Sequence, residues 1–224
     1  MKLINMRKIK TLLMGAILVA STLSAKAQDA KAKTILDKLS KKTESYTSMH
    51  ADFEYKMLNK EEGINETQKG SLLTQGKKYK FDIAGQVIIS DGKTVWTVLE
   101  DAEEVQINEV PQGEDNEDYI NPVSILTMWE KGFKYKYDSK VTLDGVELDV
   151  VNLYPEKPDE KSFHTVKLYI NQTKMVVSKI EIKGKDGTDF TYNIKTFTPN
   201  ESIAPSKFTF KQADHPDFEV IDLR

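Results

Sequence analysis

The chain has 224 residues, with 32 lysine and arginine side chains against 35 aspartate and glutamate side chains, and a formal net charge of −3. It contains no cysteine, which excludes disulfide bonds, thiol catalysis, cysteine-ligated metals and a lipid-modified amino-terminal cysteine. The acidic balance argues against nucleic acid and anionic membrane surfaces as partners.

The first 27 residues have the features of a cleaved secretory signal peptide. Arg7, Lys8 and Lys10 form a basic region, residues 11–23 are uncharged and largely apolar, and residues 25–27 have the small-x-small cleavage pattern. The apolar stretch is shorter than the roughly 20 residues that a membrane-spanning helix needs, so we favour cleavage over an uncleaved anchor. Export to the periplasm is expected, with residues 28–224 as a single domain carrying 27 basic and 35 acidic residues.

The first helix is predicted over residues 29–45. Its apolar residues recur at spacings of three and four, while lysines and acids occupy the other face. These apolar residues are Ala32, Ile35, Leu36 and Leu39. Such a narrow apolar stripe is typical of a helix that lies across a sheet.

From Thr47 the period changes to two, which predicts β-strands. The clearest strand covers residues 49–57, where five apolar side chains alternate with polar ones. Further strands are predicted at 70–74, 78–84, 103–108, 133–137, 146–154, 163–171, 174–183, 189–197, 207–210 and 218–222. Short strands at this spacing, without intervening helices, indicate an antiparallel sheet that curls into a barrel or half-barrel.

A hairpin is predicted over residues 87–96. Asp91-Gly92 separates two β-branched apolar runs, which favours a two-residue type I′ turn with positive φ at both residues. The second strand of this hairpin carries Trp96, a large side chain that needs an apolar surface to cover it.

A polar, acidic loop over residues 111–121 precedes a second predicted helix. The acids of this loop lack the spacing of a known calcium loop, so we favour a solvated surface loop. Asn121 and Pro122 are a favourable N-cap and first helical residue, and Gly132 ends the helix. Residues 122–130 are apolar nearly all round, so this helix is either permanently buried or a movable cover over a cavity.

Sequence motifs for catalysis are absent. His50, His164 and His215 have neither helical pairing nor cysteine neighbours, and we expect exposed side chains without a metal. There is no nucleophile elbow, phosphate loop or dinucleotide fingerprint. A hydrolase with a carboxylate pair stays open as an alternative, since acids are plentiful. The alternating aromatic and aliphatic residues fit either a packed core or a cavity for an apolar ligand.

Five segments together resemble the LolA family of periplasmic outer-membrane lipoprotein carrier proteins. Residues 87–96, VIISDGKTVW, are similar to the family's ivSDGktlW hairpin. The other similar segments are 48–55 (sfsAxFxQ), 70–73 (GxLwv), 104–106 (eQvt), and 206–210 with 218–222 (the closing FxF and GvxV strands). The family usually carries an Arg-Pro pair after GxLwv, and that Arg latches its covering helices. Here residues 75–78 read Gln-Gly-Lys-Lys, and a lysine cannot supply a planar fork of donors.

The resemblance implies a mainly β fold, an incomplete, half-open antiparallel β-barrel covered by short α-helices at residues 29–46 and 122–130. It further implies a monomeric carrier without enzymatic activity or cofactor. Such a carrier sequesters the acyl chains of lipoproteins, receives them from an inner-membrane releasing transporter and passes them to an outer-membrane acceptor. A lipid-sensing or lipoprotein-sensing module of the same fold is the alternative. The cavity is expected to be lined by Leu36, Leu39, Phe53, Tyr55, Leu72, Phe81, Ile89, Trp96, Ile125, Leu126 and Trp129.

Overall fold

The structure, a computed structural model, describes residues 30–110 and 128–224. Within these ranges the chain forms one α-helix, α1, over residues 30–44, and 12 strands. The strands are β1 Ser48–Asn59, β2 Ile64–Gln75, β3 Lys78–Ile83, β4 Gln86–Ser90, β5 Thr94–Leu99, β6 Glu104–Glu109, β7 Phe133–Leu143, β8 Val146–Pro155, β9 Phe163–Asn171, β10 Val176–Gly184, β11 Asp189–Pro199 and β12 Glu219–Asp222. Short 3-10 turns occur at Glu100–Ala102, Met128–Glu130, Pro158–Glu160, Pro205–Phe208 and Gln212–Asp214.

All 12 strands belong to one open sheet. Their order is β12-β6-β5-β4-β3-β2-β1-β11-β10-β9-β8-β7, so β12 and β7 form the two edges and the sheet does not close. Every neighbouring pair is antiparallel except β6 and β12, which run parallel. The predicted mainly β, half-open antiparallel architecture is confirmed.

The strand register assigns side chains to two faces, because directly opposed residues on neighbouring strands point the same way. Phe53 on β1 is opposite Gly70 on β2 and Ile194 on β11, and Leu72 is opposite Phe81. We call the face that carries Phe53 and Phe81 the covered face, and the other the outer face.

Helix α1 packs on the covered face of the β8–β10 half of the sheet. Its four predicted apolar residues are all buried, as is Trp129, and they form one cluster with the aliphatic side chains of three strands. Those strand residues are Val151, Leu153, Val166, Leu168, Ile170 and Ile180. The indole N–H of Trp129 also donates a hydrogen bond to Ser40 Oγ on α1, at 2.7 Å. The helix therefore lies where its apolar stripe predicts.

The prediction of a strand at residues 207–210 is wrong. This segment instead begins with a 3-10 turn, Pro205–Phe208, in which Pro205 supplies the fixed φ of the first helical position and Phe208 is fully buried. The turn lies against the outer face near Lys80 and Ile89, where these elements line a common cavity of about 270 Å³. The chain then continues to β12.

The prediction of a two-residue type I′ turn at Asp91-Gly92 is also wrong. Only Gly92 has positive φ, at 91°, and three residues separate β4 from β5. The Asp91 carboxylate accepts hydrogen bonds from the backbone N–H groups of Lys93 and Thr94, each at 2.8 Å. Because this carboxylate satisfies the loop's donors, Asp91 has no need of a left-handed conformation.

Three predicted segments lie wholly or mostly outside the described residues. They are the signal peptide at 1–27, the acidic loop at 111–121 and the second helix at 122–130, of which only the terminal 3-10 turn Met128–Glu130 is described. Within residues 30–110 and 128–224, no helix has the length and apolar character needed to cross a bilayer.

Candidate functional site

Five aromatic side chains lie together on the covered face at the centre of the sheet, and we call them the aromatic floor. They are Phe53, Tyr55, Phe81, Phe190 and Tyr192. The ring centroid of Phe53 lies 5.8 Å from that of Phe81 and 5.7 Å from that of Tyr192. The ring centroid of Tyr55 lies 5.2 Å from that of Tyr192 and 6.2 Å from that of Phe190. The floor forms because β1 pairs with β11 in a register that opposes Tyr55 to Tyr192. Such ring pairs add packing energy beyond the area they bury.

Aliphatic side chains extend the floor across β2, β3, β4 and β11. Phe53 and Leu72 are buried, whereas Phe81 and its neighbour Ile88 are only half-buried. The cluster built on Phe53 contains no residue of α1 among the described residues, in contrast to the cluster on β8–β10. The described helix therefore covers one half of the face, and the floor lies beside it as a partly exposed apolar surface.

Most of the predicted site residues lie at the covered face, in two groups. Leu36, Leu39 and Trp129 join the α1 cluster, and Phe53, Tyr55, Leu72 and Phe81 join the floor. Ile125 and Leu126 lie outside the described residues.

We expected Ile89 and Trp96 to line the interior, but the strand register places both on the outer face. These residues oppose each other across β4 and β5, and Trp96 also opposes Ile107 on β6, all on the outer face. Adjacent Ile88 and Ile89 are both apolar, so alternation does not distinguish the faces of β4. The outer face is apolar here because the carboxy-terminal segment packs on it, and Ile89 is itself buried.

Six residues of the floor and the cluster that extends it were not predicted as site residues: Tyr79, Ile83, Ile88, Phe190, Tyr192 and Ile194. The last three alternate with Thr191 and Asn193, so the period of two was visible in the sequence. What the sequence did not show is that β11 pairs with β1, which are about 140 residues apart in the chain.

Tyr192 contacts both apolar clusters. Burial, with a smaller contribution from Tyr55, raises the pKa of its hydroxyl from 10 to about 12. The unfolded chain would lose this proton near pH 10 and the folded chain near pH 12, so stability is kept below pH 10 and lost as the pH rises to 12. We expect Tyr192→Phe to reduce this alkaline loss, measured by urea unfolding across that range. Tyr154→Phe, at an exposed tyrosine, is the matched control; an equal effect there would contradict the assignment.

A small apolar cavity of about 30 Å³ lies between the end of α1 and the sheet. Leu39 and Trp129 form one side, and Ile180, Ile194 and Phe197 form the other. Ligand pockets usually measure about 300–1,000 Å³. A ligand of ordinary size can therefore enter here only if α1 or Trp129 moves away from the sheet.

A buried carboxylate ties α1 to the sheet. Asp149 on β8 is 2% exposed and accepts hydrogen bonds from the Tyr137 hydroxyl, at 2.8 Å, and from the Gln172 side-chain amide. Lys31 on α1 places its Nζ 3.6 Å from the same carboxylate and 3.5 Å above the Tyr137 ring. At the place of the family's Arg, Lys77 lies in the β2–β3 turn beside Gly92, and Lys78 is the first residue of β3.

Titratable groups form no metal site within the described residues. His164 is exposed as expected, but His50 and His215 are half-buried. His50 lies 3.1 Å from a Glu201 oxygen and 3.4 Å from an Asp52 oxygen, and His215 packs between Phe210 and Phe218. The floor itself is built from aromatic and aliphatic side chains.

The geometry defines a class of protein, a mainly β protein whose open antiparallel sheet carries α1 and an apolar floor on one face. Within that class, the family of the outer membrane lipoprotein carrier protein LolA has a sequence model that matches residues 44–211, and the chain belongs to this family. No protein with a curated description matches the sequence.

Solved structures are similar to this chain at low sequence identity. An uncharacterized conserved protein from Thermus thermophilus is 13% identical, with a TM-score of 0.56 over 86% of this chain and 99% of that one. The lipoprotein LppX of Mycobacterium tuberculosis is 13% identical, with a TM-score of 0.48 over 80% and 98% of the two chains. A LolA superfamily protein from Nitrosomonas europaea is 12% identical, with a TM-score of 0.41 over 80% and 97%.

Proposed function

We propose that this protein is a carrier that holds acyl chains of lipoproteins against the aromatic floor and moves them from the inner to the outer membrane. The observation that carries the proposal is the half-buried apolar floor in a chain that belongs to the LolA family. A predicted signal peptide at residues 1–27 supports a periplasmic location. The proposed partners are acylated lipoproteins, a releasing transporter in the inner membrane and an acceptor at the outer membrane.

The energy of acyl-chain burial explains why the floor is only partly enclosed. Each buried methylene contributes about 0.8 kcal/mol, so one chain of about sixteen carbons contributes about 12 kcal/mol before binding costs. Three fully buried chains would exceed the practical ceiling of about 18–21 kcal/mol for non-covalent binding, and release would be too slow for a carrier. A partly open floor limits the buried area and keeps release possible.

We propose binding, and not catalysis, for this site because of the composition of the floor. The cluster around Phe53 presents aromatic and aliphatic side chains to a ligand. A surface of this composition excludes water from apolar groups and does little else.

Two neighbouring residues on β4 test the proposal because they lie on opposite faces. Ile88 belongs to the floor and Val87 to the outer face, and both are half-buried. Ile88→Gln should reduce lipoprotein transfer about tenfold, because bound acyl chains would leave the new amide without hydrogen-bond partners. The measurement is release of a triacylated lipoprotein from inner-membrane vesicles by residues 28–224, with soluble complex quantified after sedimentation.

Val87→Gln is the matched control and should transfer lipoprotein like the wild type. Thermal unfolding of both variants shows whether either has lost its fold. Failure of the wild-type protein to extract lipoprotein, or equal transfer by both variants, would contradict the proposed function.

A further inference from the structure

Strands β10 and β11 separate from each other within the sheet. They pair only between Lys179–Lys183 and Asp189–Asn193. Beyond this point β10 continues to Val176 along β9, and β11 continues to Pro199 along β1. We call the gap between the diverging ends the β10–β11 fork.

Two bulges produce the fork. On β10 the pairing with β9 shifts between Val177 and Lys179, so Ser178 has no opposing residue. On β11 the pairing with β1 passes from Ile194 to Thr196, so Lys195 is the extra residue. A bulge bends its strand, and two bulges at the same level turn these strands apart.

The edges of the fork are strand edges without a strand partner among the described residues. Apart from the bulge residues Ser178 and Lys195, residues 176–177 of β10 and 194–199 of β11 pair with a strand on one side only. Half of their backbone N–H and C=O groups therefore point into the fork. Extended peptides bind such edges by adding a strand, with main-chain hydrogen bonds supplying affinity.

A cleft of about 670 Å³ occupies the fork. Its volume is within the range of ligand-binding pockets. Four lysines line the cleft together with a single acid, although the chain as a whole is acidic; they are Lys42, Lys174, Lys179 and Lys195, with Asp144. Lys179 also contacts Glu181, and Lys195 contacts Glu54, whereas Lys42 and Lys174 are exposed at the mouth. The lining favours an acidic ligand.

The cleft adjoins the apolar cavity under α1. The two share a wall made by Tyr46, Val176, Val177, Ile194 and Phe197. A ligand with an extended polar part and an apolar part could therefore reach both at once, provided that α1 or Trp129 moves to enlarge the apolar cavity. A lipid-modified polypeptide has these two parts joined covalently.

We propose that the β10–β11 fork binds an extended, acidic polypeptide segment of the cargo next to its acylated end, by strand addition. This inference rests on the proposed function for the identity of the ligand. An anionic lipid headgroup is a poorer fit, because it would contact the lysines and leave the two strand edges unpaired.

Binding of a non-acylated peptide tests the fork without any acyl chain. The probe is a fluorescein-labelled octapeptide of alternating valine and glutamate, measured by fluorescence anisotropy. Lys42→Glu combined with Lys174→Glu should weaken binding about tenfold, since each exposed ion pair contributes up to a few-fold in affinity. Lys38→Glu combined with Lys60→Glu changes two exposed lysines outside the cleft by the same charge and should bind the peptide like the wild type.

Backbone pairing is tested by the same peptide with every second amide N-methylated, which keeps the charges and removes donors. We expect it to bind at least about tenfold more weakly, because main-chain hydrogen bonds supply the affinity. Unchanged affinity would overturn strand addition. If the Lys42 and Lys174 changes weaken binding to phosphatidylglycerol vesicles and leave peptide binding unchanged, the cleft is a headgroup site and the proposal is wrong.

The lipoprotein extraction assay separates this inference from the proposed function. Extraction by a wild-type protein that does not bind the peptide would overturn the inference and leave the carrier function standing. Peptide binding without extraction would support a peptide site in the fork and overturn the carrier function.

Discussion

Asp149→Ala is expected to lower the free energy of unfolding by about 3 kcal/mol. The substitution removes a buried acceptor and leaves the Tyr137 hydroxyl and the Gln172 amide without their partner. It also leaves Lys31 above the Tyr137 ring without its carboxylate. Urea unfolding followed by Trp129 fluorescence measures the loss, because Trp129 is buried in the α1 cluster and Trp96 can be replaced by Phe in the background.

Two further variants separate the buried hydrogen bonds from the ion pair. Lys31→Met should cost less than about 1 kcal/mol, because its charge is half-exposed and the pair at 3.6 Å is weak. Asp149→Asn keeps an acceptor for Tyr137 and should fall between the other two. If Lys31→Met destabilises the protein as much as Asp149→Ala, then α1 is held chiefly by the ion pair, contrary to our expectation.

The contacts of Asp149 indicate how α1 is held to the sheet in a chain that lacks the family's Arg. The residue at the equivalent place in the β2–β3 turn is a lysine, and the structure places Lys77 beside the β4–β5 loop. The polar contacts of α1 come instead from Lys31 to Asp149 and from Ser40 to Trp129. Both contacts involve few groups, so they hold α1 to the sheet less firmly than an extended polar network would.

The strands and α1 could be predicted from the sequence because hydrophobic period is a local property. The period of two in residues 49–57 and the spacing of Leu36 and Leu39 survive in the structure as β1 and α1. The antiparallel sheet followed from the same pattern, whereas its half-open form was implied by the resemblance to the LolA family. Phe53 and Phe81 each lie on a strand whose apolar residues alternate with polar ones, whereas Leu72 is followed by Leu73, so the period does not assign Leu72 to a face.

The errors arose where local pattern does not determine the outcome. Both faces of β4 are apolar, so the positions of Ile89 and Trp96 depended on the registers of the successive hairpins from β1 to β5, which the apolar pattern does not determine. Phe208 lies in a segment whose conformation depends on the surface it covers. Asp91 adopts a conformation determined by its own carboxylate hydrogen bonds, which compete with the turn type that Asp-Gly usually favours.

Gly70→Ala is expected to destabilise the protein by about 2 kcal/mol and to displace the aromatic floor. A Cβ at this position would lie 2.5 Å from two ring atoms of Phe53 and 2.7 Å from the backbone carbonyl oxygen of Asp82. The ring can rotate away, but the carbonyl belongs to β3, which is hydrogen-bonded to β2. Both the floor and the β2–β3 pair must therefore shift.

A double-mutant cycle separates these two contributions. Phe53→Leu removes the ring atoms that the new Cβ would meet, so the two changes together should cost about 1 kcal/mol less than their sum. The residual cost comes from the Asp82 carbonyl. Ser71→Ala on the opposite face of β2 is the control and should change stability by less than about 0.5 kcal/mol.

The same variants connect the floor to acyl-chain binding. The Phe53 ring occupies the space that a Cβ at Gly70 would need. Displacing this ring from the floor should therefore weaken lipoprotein extraction in Gly70→Ala. Ser71→Ala should extract lipoprotein normally. Additive stability changes in the cycle, together with normal extraction by Gly70→Ala, would mean that the Phe53 ring does not depend on the space above Gly70 and that the floor tolerates its displacement.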